Sequence, residues 1–129
     1  MIVVDANVAI AVLNSNDPFH RPALERCVQA REISILNLTR AEALIHPTKA
    51  GVAEQAAAAL KALDFVTHAV HDDVADQARL LRANYGNRNF PIIDAIVVAF
   101  GIVHDLSVLT CDAKWPAVKE VHIEKLAAS

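Results

Sequence analysis

The chain has 129 residues, of which 54% are hydrophobic, and its formal net charge is −3 at pH 7. This length and apolar content suffice for one buried core but not for two ordinary domains, so we expect a single domain over residues 1–129. The negative charge excludes a protein that coats nucleic acid non-specifically, because such proteins present a broad basic surface. Any contact with nucleic acid must therefore be local or involve bound cations.

Several other classes of protein are also excluded. No apolar run approaches the roughly 20 residues that a membrane-spanning helix needs, and no basic segment precedes the apolar N-terminus. The two cysteines, Cys27 and Cys111, lack the close spacing of metal ligands, and so apolar a chain does not need a disulfide to fold. The three glycines stand alone, which excludes a Gly-rich nucleotide-binding loop. We expect a soluble, cytoplasmic protein that does not use ATP or NAD.

The first half of the chain alternates between strand and helix patterns. Ile2-Val3-Val4 is a short β-branched run, and the apolar stretch 8–13 that follows it is typical of a buried helix. A helical stripe over 23–28 precedes a second strand at 33–36. The next helix is expected to begin after Thr39 and to end before Pro47, because the residue before a proline disfavours helical geometry.

The second half continues the alternation. Helical spacing over 52–63 is followed by a strand at 65–66 and by another helical stripe over 74–85. Pro91 introduces a strongly apolar helix that extends to about Val103, and strands are expected at 107–110 and 121–123. Alternation throughout predicts an α/β fold, a three-layer α/β/α sandwich with a mainly parallel central sheet.

Four acidic residues lie at predicted junctions between strands and helices: Asp5, Glu42, Asp94 and Asp112. In open parallel sheets, ligands usually bind beyond the carboxyl ends of the strands, where such junctions meet. Asp5 is the only charged side chain among the first sixteen residues, and Asp94 is the only one between Pro91 and Val103. An unpaired carboxylate in such apolar surroundings is costly, which favours a functional role for both.

Each acid also has a purely structural explanation. Asp5 can cap a helix with help from Asn7, and Asp94 can interact with the helix dipole. Glu42 forms a capping box with the threonine three positions earlier, and Asp112 is a typical turn residue. If all four acids converge, however, they repel one another unless a divalent cation such as Mg²⁺ is bound. Such a site suits phosphodiester hydrolysis by a water that the metal activates.

Four stretches of the chain resemble the PIN-domain family, and in particular the VapC-type toxins of bacterial and archaeal toxin-antitoxin pairs. They are Ile2-Val3-Val4-Asp5-Ala6-Asn7, Leu38-Thr39-Arg40-Ala41-Glu42, Phe90-Pro91-Ile92-Ile93-Asp94-Ala95 and Val108-Leu109-Thr110-Cys111-Asp112-Ala113-Lys114-Trp115. Their order and spacing are those of the family, and the likeness covers nearly the whole chain. The sequence departs from the family at Ala6, where relatives often carry Ser or Thr.

The resemblance implies a metal-dependent endoribonuclease, the toxin of a toxin-antitoxin pair, with Mg²⁺ or Mn²⁺ as cofactor. It assigns the metal-binding and catalytic roles to the four acids Asp5, Glu42, Asp94 and Asp112, and it overrides the capping-box explanation of Glu42. Asn7 and Thr110 would be neighbours that position a water or a carboxylate. The resemblance further implies an RNA substrate, a cognate antitoxin protein as inhibitor, and a homodimer.

Three arginines form a possible strip for RNA. Arg79, Arg82 and Arg88 flank Tyr85, and together they suit phosphate contacts and base stacking. A solvated helix face followed by a polar loop explains the same residues at least as well.

Two other functions stay open. A non-catalytic PIN-like module would bind RNA or protein and would be expected to have lost acids that this chain keeps. A phosphatase of the haloacid-dehalogenase type also begins with an apolar strand and an acid, but it needs a second Asp where this chain has Asn7. Metal-dependent RNA cleavage separates the nuclease from both alternatives.

Overall fold

The computed structural model describes residues 1–86 and 89–129, and these residues contain one five-stranded sheet with helices on both faces. Its strands are β1 (Ile2–Val4), β2 (Ile33–Leu36), β3 (Phe65–His68), β4 (Ser107–Thr110) and β5 (Ile123–Lys125). They lie in the order β3-β2-β1-β4-β5, and every neighbouring pair is parallel. The predicted α/β/α sandwich with a parallel sheet is confirmed.

Seven helices connect the strands within the described residues. They are α1 (Ala6–Leu13), α2 (His20–Gln29), α3 (Asn37–Ala43), α4 (Ile45–Lys49), α5 (Ala53–Ala62), α6 (Asp72–Tyr85) and α7 (Ile92–His104). Buried residues of α1, α2, α3 and α5 form the core on one face of the sheet, and those of α6 and α7 form the core on the other. In the part of the chain that the structure describes, no helix is both long and apolar enough to cross a membrane.

The three central strands, β1, β2 and β4, are buried on both faces. In β1, Ile2 and Val4 pack into the cluster that contains α1 and α2, whereas Val3 packs into the cluster that contains α6 and α7. Strands buried on both faces appear in the sequence as continuous apolar runs, which is why β1 was evident there. Helix α7 lies very close to the sheet at Gly101, where a Cβ atom would come within 2.6 Å of the Val108 side chain.

The order of the strands reverses beside β1. From β1 the chain passes outward to β2 and β3, and it then returns to the opposite side of β1 as β4. Such a reversal leaves a crevice beyond the carboxyl ends of the two central strands, which is where ligands bind in open parallel sheets. Asp5 directly follows β1, and Asp112 closely follows β4, so the fold places both acids at this crevice.

Some predicted boundaries differ from the structure. Helix α3 begins at Asn37, so Thr39 lies inside it and donates its hydroxyl to the carbonyl of Leu36 over 3.0 Å. The prediction that this helix begins after Thr39 is therefore wrong, and the Thr39 side chain does not form the capping box that was the structural alternative for Glu42. Helix α3 does end before Pro47, but the short helix α4 contains this proline at its third position, where a missing N–H costs no hydrogen bond. Strand β5 begins at Ile123, two residues later than predicted.

Candidate acidic site

Asp5 is a buried carboxylate at the junction of β1 and α1. Its side chain is 5% exposed, and its Oδ1 accepts the backbone N–H of Ala6 over 2.8 Å, which caps α1. Its Oδ2 accepts the hydroxyl of Thr110 over 3.0 Å. Burial, together with the charges of Asp94 and Glu42, raises the pKa of Asp5 to about 7 despite these hydrogen bonds. A helix-capping role for Asp5 does not by itself explain why this buried carboxylate lies near the charges of Asp94 and Glu42.

Thr110 and Asn7 join the end of β1 to the segment after β4. The buried Thr110 hydroxyl donates to Asp5 and accepts the backbone N–H of Asp112 over 3.1 Å. The side-chain amide of Asn7 donates to the same hydroxyl over 3.4 Å, and its Oδ1 accepts the backbone N–H of Cys111 over 3.1 Å. These contacts fix the start of the β4 loop, by which we mean residues 111–115.

Asp94 lies in the first turn of α7, where its side chain is partly buried. The indole N–H of Trp115 donates to its Oδ2 over 3.1 Å. Burial raises the pKa of Asp94, the hydrogen bond from Trp115 lowers it, and the charges of Asp112 and Glu42 raise it further. Asp94 lies in the first helical turn, as expected from the sequence, where it can interact with the helix dipole. The dipole alone does not explain why two other acids, Asp112 and Glu42, lie near it.

The sequence motif that contains Trp115 predicted no role for this residue. It is 2% exposed, and its ring packs edge-on against Phe90 with 5.9 Å between centroids. A buried indole needs an acceptor for its N–H, and this requirement was the signal in the sequence that a polar partner had to lie nearby. The partner is the carboxylate of Asp94.

Asp112 and Glu42 complete the group of acids. Asp112 is partly buried in the β4 loop, and its Oδ1 accepts the backbone N–H of Lys114 over 2.8 Å, so it also forms the turn expected of it. Glu42 is exposed on α3. Because Asp94 and Glu42 act electrostatically on Asp5, and Asp112 and Glu42 act on Asp94, all four acids share one region.

The donor chemistry of this region fits a hard divalent cation. Within residues 1–86 and 89–129, no three Asp, Glu, His or Cys side chains are close enough together to form a complete metal cage. Mg²⁺ does not require one, because it is usually held by one or two carboxylates and keeps several waters. Burial is the main cause of the raised pKa values of Asp5 and Asp94, and the charges of the neighbouring acids add to it, so a bound cation would offset both effects.

The arginine strip is only partly described. Arg79 and Arg82 lie on α6, and Arg79 makes a long contact of 4.0 Å with Asp76, in which both side chains are largely exposed. The hydroxyl of Tyr85 donates to the carboxylate of Glu120 over 3.3 Å. Arg88 lies outside the described residues.

The chain belongs to the PIN-domain family, because the family model of the PIN domain matches residues 2–121. No curated protein matches the chain at a significant level of sequence similarity. Among solved structures, a toxin-antitoxin complex from Klebsiella pneumoniae contains a similar chain with a TM-score of 0.78 and 24% identity. The match covers 94% of this chain and 95% of that one.

Two further structures share the fold. VapC20 from Mycobacterium tuberculosis, described as a toxin that cleaves the sarcin-ricin loop, matches with a TM-score of 0.72 and 19% identity, over 88% of this chain and 92% of its own. VapBC2 from Rickettsia felis, bound to a DNA fragment from its promoter, matches with a TM-score of 0.72 and 17% identity. This match covers 97% of this chain and 98% of that one. At these identities the likeness shows a common fold, so the roles of single residues must be argued from this structure.

Proposed function

We propose that this protein is a metal-dependent endoribonuclease that hydrolyses RNA phosphodiester bonds with Mg²⁺ or Mn²⁺. The observation that carries the proposal is the buried carboxylate of Asp5, whose pKa is raised by burial and by the charges of Asp94 and Glu42. Membership of the PIN-domain family supports a nuclease over a phosphatase. Asp5 and Asp112 follow β1 and β4, the strands between which the strand order reverses, and this is a typical position for an active site.

Asp5, Glu42, Asp94 and Asp112 would hold the cation. When bound there, a divalent ion offsets the negative charge of the scissile phosphate and lowers the pKa of water for in-line attack. The protein's own contribution is to hold the acids in place. Thr110 fixes one oxygen of Asp5, Trp115 fixes one oxygen of Asp94, and hydrogen bonds to the backbone keep the β4 loop near both.

The partners follow from the same proposal. The likeness to chains of toxin-antitoxin complexes supports a cognate antitoxin as partner. We propose that residues 1–129 form one nuclease domain that acts as the toxin. We also propose that two copies of this domain form a homodimer. Arg79 and Arg82 are proposed to contact RNA phosphates from α6. The free thiols of Cys27 and Cys111 suit a reducing cytoplasm, which is the compartment we propose for the protein.

The test is a cleavage assay with purified protein and total cellular RNA in Mg²⁺ or Mn²⁺, repeated with excess chelator. Asp94→Asn removes one charged ligand while it keeps the shape of the side chain. Glu54→Gln is the control, because Glu54 is an exposed acid on α5, outside the group of four acids and the arginine strip. Discrete fragments are expected from the wild type and Glu54→Gln, and none from Asp94→Asn or in chelator.

Two results would contradict the proposal. Undiminished cleavage by Asp94→Asn would show that Asp94 is not part of the active site, and cleavage that persists in chelator would contradict metal dependence. A protein that is unfolded and refolded to remove any bound inhibitor, and still cleaves nothing, would support the non-catalytic RNA- or protein-binding module instead.

A further inference from the structure

The last strand of the sheet binds the loop that carries two residues of the acidic site. The ammonium group of Lys125, on β5, donates to the carbonyl of Trp115 over 2.7 Å and to that of Ala113 over 3.4 Å. Lys125 is also paired with Thr110 in the register of β5 against β4. Lys125 itself lies beyond residues 2–121, which the family model matches, whereas the two carbonyls that it binds lie within them.

The carbonyl that Lys125 binds belongs to the same residue whose indole binds Asp94. Trp115 is almost completely buried, its ring is held against Phe90, and its N–H donates to Asp94. The direction of the indole depends on the backbone at Trp115, and Lys125 is bonded to that backbone. A continuous line of contacts therefore runs from β5 through the β4 loop to the first turn of α7.

The β4 loop is held at both of its ends. Asn7 and Thr110 bind its first two backbone N–H groups, at Cys111 and Asp112. Lys125 binds carbonyls toward its other end. When a residue that hydrogen-bonds to a metal ligand and orients it is removed, metal affinity or activity typically falls by about 10- to 100-fold.

We propose that Trp115 and Lys125 are positioning residues of the acidic site. Lys125 holds the β4 loop so that Trp115 stays in place, and Trp115 holds the Asp94 carboxylate in the orientation that receives the cation. This inference rests on the proposed metal-dependent function. The orientation of Asp94 then depends on Lys125 of β5, a strand that contributes no acid to the site, through the contact of Lys125 with Trp115.

Two substitutions remove the two contacts separately. Trp115→Phe deletes the N–H and keeps an aromatic ring against Phe90. Lys125→Met deletes the ammonium group and keeps a side chain of similar length, while Lys125→Arg keeps a donor for the carbonyls. Lys61→Met is the matched control, because it changes an exposed lysine on α5.

The main readout is Mn²⁺ binding to the metal-free protein, measured by calorimetry in the absence of RNA. Trp115→Phe is expected to lower the affinity for Mn²⁺ by about tenfold, the lower end of the range for residues that orient a ligand. Lys125→Met is expected to lower it by a smaller factor, Lys125→Arg to restore it, and Lys61→Met to leave it unchanged. The melting temperature of each metal-free variant separates lost affinity from lost folding.

Fluorescence supplies a second readout, since Trp115 is the single tryptophan of the chain. Its indole donates directly to Asp94, so Mn²⁺ binding should change the emission of the wild type. In Lys125→Met the same change should require more Mn²⁺, whereas Lys61→Met should follow the wild-type curve. A residue that only stabilises the fold would not shift this curve.

The outcomes distinguish this inference from the proposed function. Wild-type Mn²⁺ affinity in both Trp115→Phe and Lys125→Met would overturn the positioning role and leave the metal-dependent nuclease standing. Absence of Mn²⁺ binding by the wild type would contradict the metal site and the positioning role together. If Trp115→Phe fails to fold, the Lys125 variants decide, because they change an exposed side chain.

Discussion

The hydroxyl of Thr110 donates to the carboxylate of Asp5 over 3.0 Å, although the two residues are 105 positions apart in the chain. This bond joins the ends of β1 and β4, the two strands between which the order of the sheet reverses. The same hydroxyl accepts the backbone N–H of Asp112. One buried hydroxyl thus sets the position of Asp5 relative to the segment that carries a second acid.

Removal of this hydroxyl should damage both stability and activity. Thr110→Val keeps the shape of the side chain but leaves Asp5 and the Asp112 N–H without their partner. A buried group that loses its hydrogen bond costs about 1–3 kcal/mol, so urea unfolding should show a loss of that size, accompanied by slower RNA cleavage. Thr110→Ser should retain most of both. A Thr110→Val variant as stable and as active as the wild type would refute this role.

The stability of the metal-free protein should fall as the pH rises. In the unfolded chain Asp5 ionises near its ordinary pKa of 3.8, whereas burial and the neighbouring acids raise its pKa in the folded protein to about 7. Between these values the folded state binds more protons than the unfolded state. The stability from this group is therefore complete below about pH 4 and is lost as the pH rises through about 7. The raised pKa of Asp94 acts in the same direction.

The measurement is the melting temperature in chelator at several pH values between 5 and 8. The wild type should melt at a lower temperature at pH 8 than at pH 5, and Asp5→Asn should show a flatter dependence. Mg²⁺ added at pH 8 should raise the melting temperature of the wild type more than that of Asp5→Asn, because the ion binds only the folded state. Equal slopes for the two proteins would show that Asp5 does not cause the effect.

Glu42 should matter for activity and not for stability. It is exposed and has no capping partner in Thr39, so Glu42→Gln should change the free energy of unfolding by less than about 0.5 kcal/mol. Its cleavage rate should fall by roughly tenfold or more, equivalent to about 1.4 kcal/mol of lost transition-state stabilisation. Glu54→Gln, at an exposed acid on α5, is the control. Lost stability with normal cleavage would assign Glu42 a structural role.

The arginines on α6 should act on substrate binding alone. If Arg79 and Arg82 contact RNA phosphates, the double variant with glutamine at both positions should have a higher KM, an unchanged kcat and a weaker dependence of KM on salt. Arg21→Gln is a suitable control, because Arg21 is 78% exposed on α2. An unchanged KM would mean that this face of α6 is merely solvated.

The buried parts of the fold were the easiest to predict. Strands β1, β2 and β4 match the apolar runs in the sequence because their side chains are covered on both faces. Strand β5 was placed two residues too early, since it is an edge strand with half-exposed residues and no continuous apolar run. Thr39 and Glu42 have the spacing of a capping box, but the chain leaves β2 at Leu36 directly into α3.

The candidate site was only partly predictable for a different reason. Asp5, Asp94 and Asp112 could be chosen locally, because each lies in an apolar segment or after a strand, whereas Glu42 was chosen through the resemblance to the family. The contacts that orient them join distant residues, as when Trp115 binds Asp94 and Lys125 binds Trp115. No local pattern encodes such pairs. The buried indole signals that it needs an acceptor, but the sequence does not identify which one.

The proposed metal site is tested most directly by a crystal structure of the protein grown with Mn²⁺, in which the anomalous signal locates the ion. The proposal predicts an ion bound by carboxylate oxygens of Asp94 and of at least one of Asp5, Glu42 and Asp112, with Trp115 still donating to Asp94. An ion bound elsewhere, while these four carboxylates contact only protein groups, would contradict it.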